Sequence, residues 1–471
     1  MEASGEIGGR IRELHGFAQW PIELGPEFIH GRERSLLMQE LERQGARFEE
    51  MEWPDHMWFK HEGGRLRDAE DLEKDEVGEP APMAWAPGPA PSPGTPPRPP
   101  SGPRADPAAD PAADPAAPPR GGPQELNEVH ELFVEEMEGL DPPVGRDVSA
   151  AELMRARGMS DRQVALAEAC YANDYGCELR ELGVREMIRE QGAWVHGESY
   201  LHPTVPYVAM ARRLAEGADV RLRWPVASVE LVGERPAGHV RVTSRGGESL
   251  TCNRCIVTAS LGVLKAGTID FRPPLPLDKR AAIARLGFGN AIKVVLAFRE
   301  RIWPEGLYDV VCPGGFIPEV WSLRSDAWAP FNERPPPPGE RHVMVCFFAG
   351  KQAREAGALG ERELVRRCVD ELVEMFGRPD GTADHMDLIA DAHVADWSRD
   401  EFVRGAYSFP TLGAEDGDRD AYARPVGGLL FFAGEGTHPG VNPCIHAAME
   451  TGMRAAFQAA ASLSIAAHSK L

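Results

Sequence analysis

The chain has 471 residues, more than one hydrophobic core usually organises, so two sequential or interleaved domains are expected. It holds no apolar run of about 18 residues and no N-terminal signal pattern, which predicts a soluble chain without a membrane span. A formal net charge of −22 opposes non-specific nucleic-acid binding and would attract cationic partners.

The first residues, Met1-Glu2-Ala-Ser-Gly5-Glu-Ile-Gly8-Gly9-Arg10, read like the end of a dinucleotide-binding unit without its beginning. Such a unit needs a strand, a G-x-G-x-x-G turn and a helix, with an acidic residue roughly 20 positions later for the ribose. Glu2 would be that acid, but no strand or glycine fingerprint precedes it in this sequence. Glu23-Leu-Gly25-Pro26-Glu27-Phe28-Ile-His30-Gly31 is a Gly-bounded apolar segment, and His30 reads first as a structural histidine. Ser35 to Ala46 has the period of an amphipathic helix with a Gly stop. Residues 77–123 turn Pro/Ala/Gly-rich with an Asp-Pro-Ala-Ala repeat, a composition that buries no core and predicts a disordered insertion.

Helical patterns return at Glu125–Gly139, Ala150–Arg157 (capped by Ser149), Asp161–Ala172 (capped by Ser160) and Val205–Glu216. Strands are expected at Val220–Leu222, Val226–Leu231, His239–Thr243 and Cys255–Ala259, with a hairpin signal at Gly246-Gly247. Cys252-Asn-Arg-Cys255 is the one close pair among eight cysteines. No second pair completes a zinc site, so no metal is expected, and the spacing reads as chance on a strand edge. Reduced thiols inside a cell fit this pattern.

A helix from Pro276 to Arg285 precedes Gly287-Phe-Gly-Asn-Ala-Ile-Lys293-Val-Val-Leu-Ala-Phe298, where a lysine sits in an apolar strand. Apolar neighbours of both parities imply two-sided burial, and a buried amine is costly unless it has a task. Strands near Phe316–Trp321, His342–Phe348 and Asp387–Val394 flank a helix over Glu361–Phe376. Finally, Leu429 to Ala433 is a buried strand that breaks at Gly434-Glu435, passes a loop, and re-emerges as a helix from about Pro443. That arrangement suits a phosphorylated cofactor, although on spacing alone it reads first as an ordinary strand–turn–helix, the commonest unit of an α/β core.

Taken together, six ordered blocks resemble the flavin-containing amine oxidases, and within them the polyamine oxidases. They are Glu2 to Ile11, Glu23 to Gly31, Leu261-Gly-Val-Leu-Lys265-Ala-Gly-Thr, Leu286 to Lys293, Trp397-Ser398 with Gly405-Ala406-Tyr407-Ser408, and Phe432 to Thr437. The resemblance implies an α/β fold. A FAD/NAD(P)-binding Rossmann-like domain, N-terminally incomplete, would comprise 1–34, 218–275 and 385–462. It would interleave with an α+β substrate-binding domain on a mixed sheet, 35–76, 124–217 and 276–384, leaving 463–471 as a tail.

The resemblance also assigns roles. Glu2 corresponds to the ribose-binding acid, and Gly9 and Arg10 to the approach to the flavin's phosphate and ring side. Gly25, Pro26, Glu27 and Phe28 match the loop beside the isoalloxazine, and Val226 the backbone contact to adenine. Trp397 belongs to the same cofactor set, Gly434 and Glu435 fall near the pyrophosphate–ribitol, and Ile445 lies under the ring. Lys293 would hold a water to flavin N5, and His30 and Tyr407 would face the substrate. The implied chemistry is hydride transfer from the carbon next to an unprotonated amine to flavin N5. Hydrolysis of the imine gives an aldehyde and a smaller amine, and O2 reoxidises the flavin to give H2O2.

Ala406 stands where monoamine oxidases tether FAD through cysteine, so FAD is expected to be non-covalent. Tyr407 matches one wall of the amine site and Cys444 replaces the other, widening the substrate tunnel for a polyamine. Ser469-Lys470-Leu471 matches a peroxisomal address read by the import receptor, with the cytoplasm as the alternative. A monomer is expected, with no nucleic-acid partner. The missing first strand and phosphate loop predict a truncated chain that binds FAD poorly. Two other readings remain open: a histone lysine demethylase-like amine oxidase, and an inactive flavin-free remnant.

Overall fold

The computed structural model describes residues 1–51, 56–58, 60, 66–68, 128–233, 238–378, 384–440 and 444–468. The insertion expected at 77–123 and the Ser469–Leu471 signal lie outside them. The architecture is mixed α/β, dominated by a seven-stranded sheet. Its order is Ile389–Asp396, Ala291–Phe298, His342–Ala349, Glu319–Trp321, Asp309–Val311, His56–Trp58 and Leu66–Asp68. Only the Asp309–Val311 and His56–Trp58 pair is parallel.

The strand Ala291–Phe298 is buried along its whole length. Successive side chains alternate faces. Ile292, Val294, Leu296 and Phe298 enter the core built with the helix Glu361–Phe376. Val295 and Ala297 enter a second core with Trp20, Trp321 and Trp397. Lys293 has the parity of that second face, so backbone geometry alone aims an amine into a cluster of indoles.

A four-stranded sheet runs Ser249–Cys252, His239–Ser244, Val226–Val232 and Asp270–Arg272. Beside it in sequence, Cys255–Val257 pairs in parallel with Leu430–Phe432, which leads through Gly434-Glu435 towards the long helix Ile445–His468. Ala455 and Ala459 of that helix pack against Phe431 and Ala433. A three-stranded sheet of Ile29–His30, Tyr200–Pro203 and Phe48–Glu50 completes the frame of the site.

The helices start where their caps dictate. Ser35 accepts from Met38 N ahead of Leu36–Arg43, and Ser149 and Ser160 form reciprocal capping boxes with Glu152 and Gln163. Three expectations fail in whole or part. Within Glu125–Gly139 the chain forms a π turn at Glu131–Glu136 and a 3-10 turn at Met137–Gly139. The helix from Asp161 is α-helical only to Ala167 and widens into a π turn over Glu168–Ala172, delivering Asn173 and Asp174. Val220–Leu222 is not a strand of any sheet. Its segment instead bonds the first residues of the chain, with Glu2 N donating to Arg221 O, Arg223 N to Ser4 O and Trp224 N to Glu2 O. No helix among the described residues is long and apolar enough to cross a membrane.

Candidate active site

Lys293 Nζ lies 2.8 Å from Glu27 Oε2, 3.2 Å from the Glu23 carbonyl oxygen and 5.0 Å from the centre of the Trp321 ring. Trp321 Nε1 donates to the same Glu27 oxygen at 2.8 Å. With Lys293 and Glu27 only 4% and 7% exposed, each charge depends on the other, because an isolated buried ion is strongly unfavourable. The carboxyl of Glu23 accepts from Tyr207 N at 3.0 Å. Burial, reinforced by nearby Glu13, pushes its pKa well above the carboxylate range. Glu23 thus favours its neutral form, and Glu27 is the counter-ion of the lysine.

The same loop supplies the aromatic wall. Phe28 stacks on Tyr200 at 4.8 Å and meets Trp321 edge-on at 5.6 Å; His30 meets Tyr200 edge-on at 5.1 Å. His30 is an exposed residue, yet the protein atoms around its imidazole desolvate it and lower its pKa to about 4. Above that pH the imidazole is neutral and does not repel a cation.

Tyr407 rests against Gly176, where an added Cβ would lie 2.7 Å from Tyr407 Cε2. The backbone around it is doubly tied, Gly289 N to Tyr407 O and Ala406 N to Gly289 O, each at 2.8 Å. Burial first, then Asp174 and Glu319, raises the pKa of both Tyr200 and Tyr407, so these acids share one neighbourhood with both rings. Cys444 also acts on Tyr407, and burial raises its own thiol. Asn173 Nδ2 donates to Glu319 Oε2 at 3.1 Å, and Asp309 joins the field at Tyr200. Asp174 itself is raised well above the usual aspartate range by burial and then by Glu319.

Around the expected cofactor positions the chain makes close crossings and open turns. Gly25 passes so near Arg10 that an added Cβ would lie 1.9 Å from Arg10 O, and Trp397 Nε1 donates to Leu24 O at 2.9 Å. Gly9 and Gly434 have positive φ (63° and 124°), and no atom lies within 4 Å of a Cβ built on either. Arg10 bridges Glu435 Oε1 at 3.0 Å and the Ala406 carbonyl. Glu435, 4% exposed, turns inward and accepts from the Ser408 hydroxyl through its other oxygen. Gly434 N donates to Thr451 Oγ1 at 3.0 Å.

Glu2 lies beside the approach to Val226, its Oε1 accepting from Ser4 N at 2.8 Å. Ile445 packs with Ile29, Leu201 and Tyr207. These features fit FAD. The open turns at Gly9 and Gly434 leave room for it, and the part-exposed Arg10 guanidinium supplies a positive group between them.

The structure thus gathers Lys293, Glu27, Phe28, His30, Tyr407 and Cys444 with their neighbours. It places Glu2 and Val226 in a separate group and joins Arg10 to Glu435. Tyr200, Trp321, Asp174, Asp309 and Glu319 were missed in the sequence. The available signal was a carboxylate opening each of two apolar buried strands, Asp309-Val-Val and Glu319-Val-Trp. A cleft of about 430 Å³ lined by Gly176, Lys265, Arg285, Gly289 and Arg354 carries none of the expected site residues.

Comparison with known proteins follows the same lines. The family described as "Flavin containing amine oxidoreductase" matches residues 1–459. Lysine-specific histone demethylase 1 homolog 3 of Arabidopsis thaliana is 33% identical over 293 residues, covering 60% of this chain and 17% of that protein. Polyamine oxidase 4 of Oryza sativa subsp. japonica is 32% identical over 250 residues, covering 53% of this chain and 47% of that protein. The chain therefore spans less than half the length of these relatives. Among solved structures, putrescine oxidase bound to putrescine superposes with a TM-score of 0.69 at 16% identity, covering 98% of this chain and 92% of that one. Cyclohexylamine oxidase from Brevibacterium oxydans gives 0.66 at 19% identity, covering 100% and 93%. On the family match, the chain belongs to the flavin-containing amine oxidoreductases, and its cofactor is FAD.

Proposed function

We propose that this chain oxidises a polyamine at a C–N bond, with non-covalent FAD and O2, in the peroxisome. The observation that carries the substrate class is the convergence of Asp174 and Glu319 on the Tyr200 and Tyr407 rings, joined at Tyr200 by Asp309. A buried acid cluster favours an organic polycation, because an arriving ammonium offsets the desolvation that raises Asp174. The peroxisomal address rests on Ser469-Lys470-Leu471, and non-covalent attachment on Ala406, which offers no thiol.

Arg10, Gly9, Gly25 and Gly434 would hold FAD along its ring and ribityl side, with Glu2 and Val226 at the adenosine end. FAD supplies the acceptor for a hydride and the route of its electrons to O2, giving H2O2. The chain's own groups prepare the amine. Phe28, Tyr200, Trp321 and Tyr407 exclude water, which favours the unprotonated nitrogen whose free pKa lies near ~10. Neutral His30 accepts a hydrogen bond without adding positive charge. Lys293, held by Glu27, keeps a fixed donor in the aromatic box.

The test is peroxide release from spermine, spermidine and their acetylated forms against a methylated lysine peptide. Turnover of the amines with a ~10-fold or greater rise in KM for Asp174→Asn supports the reading, a change equivalent to ~1.4 kcal/mol. Turnover of the peptide alone favours a demethylase, the second reading, for which demethylases among the relatives speak. Purified protein without flavin absorbance after reconstitution with FAD would point to a flavin-free remnant.

A further inference from the structure

The Cys252–Cys255 pair looked like chance spacing in the sequence, and its placement in the fold gives it a different meaning. Cys252 ends the strand Ser249–Cys252, opposite Val240, and Cys255 begins the parallel strand opposite Leu430. Only Asn253 and Arg254 separate them. Arg254 does not stand between the thiols: its guanidinium reaches the long helix, with Nε donating to Ser462 Oγ at 2.6 Å and Nη2 to Ser462 O at 2.9 Å. Cys252 Sγ donates to the Val240 carbonyl at 3.7 Å and accepts from the Cys255 thiol, and both cysteines are half-buried. A second thiol pair, Cys346 with Cys368, also shares a hydrogen bond, but both are 0% exposed in the main core. The chain thus carries one dithiol that a small solute can reach and one that it cannot.

We propose that Cys252 and Cys255 form a peroxide-oxidisable dithiol that closes to a disulfide across the bend between the two sheets. The Cys252 thiolate attacks one oxygen of a hydroperoxide, the O–O bond breaks, hydroxide leaves, and Cys252 becomes a sulfenic acid. The Cys255 sulfur then attacks the Cys252 sulfur and expels the remaining oxygen; with the Cys255 proton it leaves as water. Two thiols are oxidised and one peroxide is reduced to the level of two waters. The thiol–thiol hydrogen bond favours this order, because it draws the Cys252 thiol down to about 7 and pushes Cys255 up. Closure brings the two sulfurs to the S–S length of ~2.05 Å across a bend of two residues. The new bond would tie the sheet that begins at Val226 to the strand pair that ends at Gly434-Glu435.

The proposal does not depend on the amine substrate, since the oxidant in the test is added H2O2. The full chain is treated with H2O2, unfolded and alkylated, and its cysteine peptides are weighed. The expected result is a loss of two of the eight alkylatable thiols, with the peptide holding Cys252 and Cys255 lighter by two hydrogens until dithiothreitol restores it. Cys255→Ser should stop the reaction at a dimedone-trappable sulfenic acid on Cys252. That acid should form about tenfold more slowly, as the thiol returns to its ordinary range. Retention of both thiols in the native chain, or undiminished two-thiol loss in Cys252→Ser, would overturn the assignment.

Discussion

Lys293 and Glu27 show how a single pair can serve both stability and the site. The lysine was visible in the sequence as an amine in a fully apolar strand, but its partner was not, since Glu27 lies 266 residues away. Removing one member of a buried pair strands the other, typically at ~3–5 kcal/mol. Lys293→Met should therefore lower unfolding stability by that amount, read by denaturant titration. Lys293→Met combined with Glu27→Gln should recover most of it. Flavin reduction by amine should stay slow in both variants if Lys293 serves the reaction, whereas recovery in the double variant would reduce the lysine to a structural role. His30, which read first as structural, lies on the aromatic wall with a neutral ring. Its setting depends on Tyr200, on a strand that no local pattern around His30 reveals.

At the scale of elements, the caps made the helices legible. Ser35, Ser149 and Ser160 each sit where the side chain satisfies an otherwise open amide, and the helices begin there. The π turn at Glu168–Ala172 was not legible, because its apolar spacing continues the helical pattern and only tertiary packing widens it. Nor was the fate of Val220–Leu222, expected as a strand, since the backbone partners of its segment are residues 2–4 at the far end of the sequence. The loop Glu23–Gly31 depends on a close backbone approach. Gly25→Ala would drive Cβ into Arg10 O, a contact that backbone alone must relieve, with an overpacking penalty of ~1–3 kcal/mol. Arg10 would then shift from Glu435 and Ala406, so flavin retained after gel filtration should fall well below that of the parent chain. Gly192→Ala, which meets open space on the helix Val184–Ala193, should retain flavin like the parent chain.

The whole molecule carries acids that burial keeps protonated, and its stability should reflect them. Burial raises Glu13 to about 7 against the opposing pull of Arg212, and Glu168 also to about 7. A carboxyl whose folded pKa exceeds its unfolded value near ~4.5 binds a proton that the unfolded chain releases. Its contribution is full below that value and is lost as pH rises through about 7. Unfolding free energy should therefore decline between about pH 4.5 and 7, by at most ~3 kcal/mol for Glu13. Glu13→Gln should flatten that slope, measured by urea titration across the range; an unchanged slope would exclude Glu13 as its source.

Long-range ties also join distant parts of the chain. Arg10 meets Glu435, Glu435 meets Ser408, Ser408 meets Arg419, and Arg419 meets Glu186 on the helix Val184–Ala193. The turn at Gly434 is braced from behind as well, by Thr451 on its amide and by Arg454 on the carbonyls of Phe432 and Thr437. A turn so held is a casting rather than a hinge. Ligands that fit it are selected by shape before they gain any contact energy, and a poor fit cannot be rescued by the loop bending to meet it.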